Sequence, residues 1–177
     1  MSTRTRLNYT GPCLVFLTTT VKDWTPVFIN EALAKATIDQ FNDAIKHYGV
    51  SCVAYALMPS HLHAALGFKE YRVVRKFMQS FKILSSKRLK PILPIALRTH
   101  FEQNGKYGFW MPRYDELVIS TEKQFRVKLD YIHSNPVRGN LVGAPVDWPY
   151  SSAGDWLSDR TGVIPIDKHF SYLIESE

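Results

Sequence analysis

Val50-Ser-Cys-Val-Ala-Tyr-Ala-Leu57, then Met58-Pro59-Ser60, then His61-Leu-His-Ala-Ala-Leu-Gly-Phe68 is the stretch whose reading decides the fold. Two apolar runs flank a turn so short that it joins them only as an antiparallel hairpin. Upstream, Leu14 to Val21 is β-branched and aromatic, lies between Gly11-Pro12 and Asp23, and reads as a buried first strand. Between strand and hairpin, from about Phe28 to Tyr48, Leu33, Ala34, Ala36, Thr37, Phe41, Ala44 and Ile45 recur at three- and four-residue steps, and Gly49 ends the pattern. That is an amphipathic helix. Beyond the hairpin, Val73, Val74, Phe77, Phe81 and Leu84 keep helical spacing up to Pro91 and Pro94. Leu93 to Tyr107 reads as a connecting loop with a turn at Asn104-Gly105, and Leu117-Val118-Ile119 as a closing strand. Ser120 or Thr121, the latter with Gln124 three residues on, caps a third helix reaching about Ser134, where Asn135-Pro136 is expected to stop it. The order strand, helix, strand, strand, helix, strand predicts an α+β chain with a ferredoxin-like split β-α-β sandwich. Its sheet is antiparallel with helices on one face, and a loop-rich C-terminal extension wraps the surface.

The 177 residues, 45% hydrophobic and 21% charged, fit one domain spanning 1–177, with a core over about 14–152 and an extension over 153–177. Cys13 and Cys52 make no disulfide framework. With no apolar run near 18 residues and no leader, the expectation is a cytoplasmic protein without a membrane partner. The net charge is +6, from 22 Lys+Arg against 16 Asp+Glu. The excess sits in one segment, where Lys69, Arg72, Arg75, Lys76, Lys82, Lys87, Arg88 and Lys90 meet the single acid Glu70. These cations fall between the apolar positions of the second helix, giving it a cationic face suited to an anionic polymer or simply to solvent.

Two constellations carry chemistry. His61 and His63 stand two apart on a strand, so both imidazoles project to one face and suit a divalent ion that still needs a ligand from elsewhere. In Asp130-Tyr131-Ile132-His133-Ser134-Asn135-Pro136, Tyr131 and Asn135 are one helical turn apart, which sets a phenol beside a carboxamide. Taken singly, each pattern also fits ordinary packed or solvated side chains.

Four motifs in chain order tie these residues together: Met58-Pro-Ser-His-Leu-His63, Phe109-Trp110 with Arg113-Tyr114, Tyr131-Ile-His-Ser-Asn-Pro-Val-Arg138, and Asp147-Trp-Pro-Tyr-Ser-Ser152. This set resembles the single-tyrosine HUH transposases, most closely the branch associated with repetitive extragenic palindromes (REP). The resemblance implies that His61, His63 and Asn135 hold Mg²⁺ or Mn²⁺ and that Tyr131 is the nucleophile. The implied reaction is metal-dependent cleavage and rejoining of single-stranded DNA through a covalent 5′-phosphotyrosine. The proton acceptor for the phenol is left open between a water on the metal and Asp130. Two departures are visible: Gly139-Asn140-Leu141 stands where the family usually has Ala-Gly-Leu, and Ser120 where an Arg is common.

The implied partner is single-stranded DNA, often beside a hairpin, met by a monomer or homodimer. Arg72, Arg75, Lys76, Lys82, Lys87, Arg88, Arg113 and Arg138 are the candidate DNA-binding residues, with the cationic helix expected to hold the strand across His61 and His63. Tyr71, Phe101, Tyr107, Trp110 and Tyr114 are candidates for stacking on bases. The alternative reading is a non-catalytic single-stranded nucleic-acid-binding module on the same fold.

Overall fold

The computed structural model describes residues 9–170. In chain order it contains β1 (Cys13–Thr20), α1 (Glu31–Tyr48), β2 (Ser51–Met58), β3 (His61–Phe68), α2 (Arg72–Leu89), α3 (Ile95–Phe101), β4 (Glu102–Gln103), β5 (Lys106–Tyr107), β6 (Asp115–Ile119), α4 (Glu122–Arg138) and α5 (Ala153–Leu157). The main sheet has the order β2-β3-β1-β6, and every neighbouring pair is antiparallel. β1 and β2 are therefore parallel with β3 inserted between them, which is the split β-α-β arrangement the sequence predicts. β4 and β5 form a small hairpin over Asn104 and Gly105, whose φ values of 51° and 69° are those of a tight primed turn.

Strand alternation divides the core in two. Val15 and Leu17 of β1, Tyr55 and Leu57 of β2, and Leu62, Ala64 and Leu66 of β3 pack against α1 and α2 through Leu33, Phe41, Ile45, Phe77 and Phe81. Leu14, Phe16, Ala56 and Ala65 point the other way, where they meet Ile132, Phe125, Leu129 and Tyr131 of α4. The two helices of the split β-α-β unit thus share one face, and the Tyr131 helix covers the opposite one. An irregularity in β2 between Cys52 and Ala54 keeps the alternation in step, since Val53 and Ala54 both join the α4 side.

Local signals explain most element ends. The Asn30 side chain caps α1 by accepting from Leu33 N, and Gly49 closes it at φ 59°. Thr121 caps α4 by accepting from Gln124 N, while Gln124 Oε1 accepts from Ser120 N. Three expectations need correction. Part of the supposed loop from Leu93 to Tyr107 is helical, because Phe101 is fully buried against Phe109 and holds α3 in place. Leu84 is exposed, and Ser85 and Leu89 take the inward positions of α2 instead. The last correction concerns α4, which runs through Pro136 to Arg138. Proline near a helix C-terminus removes one hydrogen bond only, and burial of Pro136 favours continuation.

The C-terminal extension is anchored in both halves of the core. Ile164 inserts on the α1 and α2 side and Phe170 on the α4 side, and between them Asp167 N donates to Cys52 O. The Phe170 ring lies over Gly67, where a Cβ would come within 2.2 Å of a ring carbon. Residues 148–156 close the rest of the β2 edge. Leu57 N donates to Tyr150 O, Ser152 N to Tyr55 O, Trp148 Nε1 to Leu57 O and Trp156 Nε1 to Val53 O. Among the described residues no helix is long and apolar enough to cross a membrane.

The last link ties α4 to this edge. His133 Nε2 and Ser152 Oγ lie 2.9 Å apart, and the same hydroxyl oxygen accepts from Tyr55 N. Burial pushes the His133 imidazole down to about 4, so the folded chain holds it neutral. The unfolded chain takes up a proton near pH 6.5, so the stability this residue contributes is complete above that pH and is lost as pH falls toward 4. The expected slope is about 1.4 kcal/mol per pH unit from His133 alone. Urea unfolding at pH 7, 6 and 5 should show it, and His133→Gln should reduce the slope in that window by about that amount.

Candidate functional site

His61 and His63 occupy alternate positions of β3 and therefore share the face covered by α4. Pairing with β1 places Thr20 opposite His61 and Thr18 opposite His63. The Thr18 hydroxyl lies 2.8 Å from His63 Nδ1, and the Ser60 hydroxyl 3.1 Å from His61 Nδ1. The two imidazole rings are 4.6 Å apart between centroids. His63 is buried, and its Nε2 has no hydrogen-bond partner among the described residues. Burial, with smaller contributions from His61 and Lys128, pushes His63 down to about 3, and burial lowers His61 as well. Both rings are therefore neutral at physiological pH, the form that ligates a metal.

The α4 helix brings Tyr131 to the same place. Its ring centroid is 5.2 Å from that of His63 and 5.9 Å from that of Phe16, while Phe16 stacks on His63 at 5.8 Å. The meeting takes place within one chain. Lys128, three residues before Tyr131, lies 4.4 Å above the Phe16 ring and 5.5 Å from the Tyr131 ring, and Arg138 lies 5.7 Å from the latter. Asn135 follows Tyr131 by one turn inside the helix, and its Nδ2 donates to Tyr131 O at 2.6 Å. That bond leaves Oδ1, the atom a cation would take, uncommitted to the helix. Asp130 is exposed and accepts from the Ser134 hydroxyl. No group of three His, Cys, Asp or Glu side chains among the described residues is placed to hold a metal. What the structure brings together is a pair of neutral imidazoles, one with an unclaimed buried nitrogen, the kind of donor that suits a divalent ion.

The end of α4 explains one of the two sequence departures. Leu141 N donates to Pro136 O and Asn140 N to Val137 O, with Asn140 at φ 55°, which is a Schellman ending with its left-handed residue at position 140. Asparagine is the residue after glycine that best tolerates that conformation, so moving the glycine to 139 keeps the helix end intact.

The cationic segment lies elsewhere. β3 turns Leu62 and Leu66 toward α1 and α2, so the face that carries α2 is opposite the face that carries the histidines. A strand laid along α2 therefore does not cross His61 and His63, contrary to the expectation from chain order. Arg75, Lys82, Lys87 and Lys90 line a groove of about 640 Å³ with Tyr107 and Tyr114, between α2 and residues 107–114. Lys82 braces the groove by donating to Met111 O and Pro112 O. The Tyr107 hydroxyl is buried there without a partner among the described residues, and its ring lies 4.7 Å from Lys90 Nζ. Arg72 pairs with Glu70, and Arg88 with Asp39 and Asp43 of α1. Lys76 and Arg113 are exposed. Of the eight candidate DNA-binding residues, Arg138 alone stands beside Tyr131. Phe101 and Trp110 are buried and cannot stack on a base, and Tyr71 donates to Glu116.

Sequence reasoning missed Thr18, Lys128 and Trp24. Trp24 is 57% exposed, and its ring centroid is 5.4 Å from that of His61. Thr18 was detectable in principle, because an antiparallel register pairs β1 residues with the His-x-His residues face by face. Lys128 lies three residues before Tyr131, a helical neighbour spacing.

Two histidines on an inner strand of the sheet and a tyrosine on the helix above them are the site this fold builds. The family described as Transposase IS200 like matches residues 12–135, most of the chain, which belongs to that family. Within it, the relatives are REP-associated tyrosine transposases. One from Haemophilus influenzae, named as such only provisionally, is 28% identical over 158 residues, covering 83% of each chain. Another, from Escherichia coli, is 36% identical over 63 residues, covering 36% of this chain and 37% of its own. The solved structure of a REP-associated tyrosine transposase bound to a REP hairpin shares the fold, with a TM-score of 0.65 and 19% identity over 99% of this chain and 98% of that one.

The Schellman ending is open to a direct check. Asn140→Gly should leave the melting temperature unchanged or slightly raised, and Asn140→Val should cost about 1–2 kcal/mol, measured by urea unfolding.

Proposed function

We propose that this chain cuts and rejoins single-stranded DNA, with Tyr131 as the nucleophile and the His61, His63 and Asn135 side chains as the ligands of a divalent ion, Mg²⁺ or Mn²⁺. The observation that carries the reading is the meeting of the Tyr131 ring with the His63 ring inside one chain, beside an imidazole nitrogen that is buried and unclaimed. The ion, when bound, supplies Lewis-acid charge against the scissile phosphate. The remaining tasks fall to the protein. Thr18 and Phe16 fix the His63 ring, so that Nε2 is the nitrogen presented to the site. Lys128 and Arg138, both beside the Tyr131 ring, supply positive charge where a phosphate would lie.

In the proposed step Tyr131 Oη forms a bond to phosphorus as the bond from phosphorus to O3′ breaks. The phenolic proton leaves Oη, and O3′ takes up a proton. The 5′-phosphate stays on the tyrosine, and a free 3′-OH is released. Attack by a 3′-OH on the phosphotyrosine reverses the step and joins strands without an external energy source. The substrate is single-stranded DNA next to a hairpin, as the hairpin-bound relative suggests. On the other face of the sheet, the groove of Arg75, Lys82, Lys87 and Lys90 is proposed to take the hairpin's phosphates.

The deciding experiment incubates the protein with labelled REP-type oligonucleotides and Mn²⁺ and looks for an adduct that survives SDS. Tyr131→Phe should leave none; cutting that persists in this variant removes Tyr131 from the role. Binding without an adduct in any metal favours the non-catalytic module instead. EDTA should abolish cutting, and added Mn²⁺ or Mg²⁺ should restore it. Thr18→Val should weaken metal binding about 10- to 100-fold, read by titration of the ion in the presence of DNA.

The groove makes a separate prediction. Arg75→Glu with Lys87→Glu should weaken hairpin binding and reduce the slope of log K against log salt by roughly 0.7–0.9 for each phosphate no longer neutralised. An unchanged slope would return these cations to the role of a solvated helix face.

A further inference from the structure

The loop between β1 and α1 carries a cost that its own packing does not explain. Asp23 and Trp24 are consecutive non-glycine residues in the left-handed region, at φ 56° and 55°. Such residues are uncommon and unfavourable, above all for a bulky side chain such as Trp, so the surroundings must hold them there. They do. Val21 N donates to Ser60 O and Lys22 N to Phe109 O, and Trp24 N and Thr25 N close back on Val21 O and Lys22 O. From α3, His100 lies 3.4 Å from the Asp23 carboxylate and 3.3 Å from the Thr25 hydroxyl. The result of this bracing is an indole held more than half in solvent, edge-on to His61. A tryptophan fixed in the open at the rim of a proposed catalytic site is arranged to meet something flat.

Its place says which part of the DNA it meets. Trp24 adjoins His61 at 5.4 Å, and Tyr131 adjoins His63 at 5.2 Å, so each imidazole of the pair has its own aromatic neighbour. A phosphate seated on the histidines is attacked from the Tyr131 side. In an in-line displacement the leaving O3′ departs on the side away from Tyr131, and Trp24 is the exposed aromatic ring beside the other histidine. We propose that Trp24 stacks on the base of the nucleotide immediately 5′ of the cut, the one that leaves with the free 3′-OH, and holds that end in place for rejoining. This inference rests on the strand-cutting reading above. It makes Trp24 a positioning residue for the second, strand-joining half of the reaction, with an unpaired nucleobase as its ligand.

The test uses the full chain and the oligonucleotide whose cut position the adduct assay maps. Single abasic sites are placed one at a time on either side of the cut, and binding is measured by fluorescence anisotropy in EDTA, where no cutting occurs. Loss of the stacked base should weaken binding of the parent protein about tenfold at the position immediately 5′ of the cut. Trp24→Gly adopts the local backbone without strain, so its fold is not at risk. It should bind intact DNA about tenfold more weakly and show no further loss with the abasic site, while Trp24→Phe should restore most of the abasic penalty. 2-Aminopurine at that position should be quenched by the parent protein and not by Trp24→Gly. A residue that merely braced His61 would give no such coupling to one nucleotide. If the parent protein forms the adduct but the abasic penalties are the same in Trp24→Gly at every position, the inference about Trp24 is overturned while the cutting activity stands. If the parent protein forms no adduct on any such oligonucleotide, the underlying reading fails and this inference with it.

Discussion

The pairing of β1 with β3 is the constraint on which the rest of the site depends. Its register sets Thr18 against His63 and Thr20 against His61, and so decides that both imidazoles lie on one face with a hydroxyl behind the inner one. A slip of one residue would turn the histidines toward α1 and α2 and bring Leu62 under Tyr131. The register is protected because both faces of β3 are buried and chemically distinct. Leu62 and Leu66 are committed to one core, and Ala65 and Gly67 to the other, where Ala65 packs with Ile132 and Gly67 leaves room for Phe170. The small residues of β3 allow α4 to sit close above the histidines.

Much of the fold is legible in the sequence because it is written in local patterns. The hairpin, the Gly49 end of α1 and the capped start of α4 rest on turn chemistry and capping residues that act over a few positions. The differences concern tertiary context. α3 lacks a capping side chain and is held by burial of Phe101, and Pro136 continues a helix because its ring is wanted in the core. The pairing of His61, His63 and Tyr131 is legible as well, since strand and helix periods together restrict where those side chains point. The placement of α2 is deducible, though chain order alone points the wrong way. In a split β-α-β unit both crossover helices lie over the apolar face of the hairpin, here that of Leu62 and Leu66, and the histidines alternate with those residues.

The motif from Asp147 to Ser152 stands in the sequence alongside the residues proposed for the site, but its side chains serve the frame. Trp148 donates to a β2 carbonyl, and Ser152 meets both β2 and His133. His133 in turn belongs to the segment that carries Tyr131 and Asn135. Two sequence motifs, joined by a contact between His133 and Ser152, are thus one physical object, a clamp that fixes the Tyr131 helix to the outer strand of the sheet. Trp24 is invisible in the sequence for the opposite reason, since a single aromatic in a short loop has no periodicity and only its neighbours reveal it.

The closure of the β2 edge also limits how copies of this protein can associate. The outer carbonyls and amides of Cys52, Tyr55 and Leu57 are taken by residues 150–152 and Asp167 of the same chain, and the tryptophans at 148 and 156 lie across them. A sheet cannot be continued from one molecule into the next on that side without peeling away the chain's own C-terminal strap. Any dimer built by strand addition would have to use another edge.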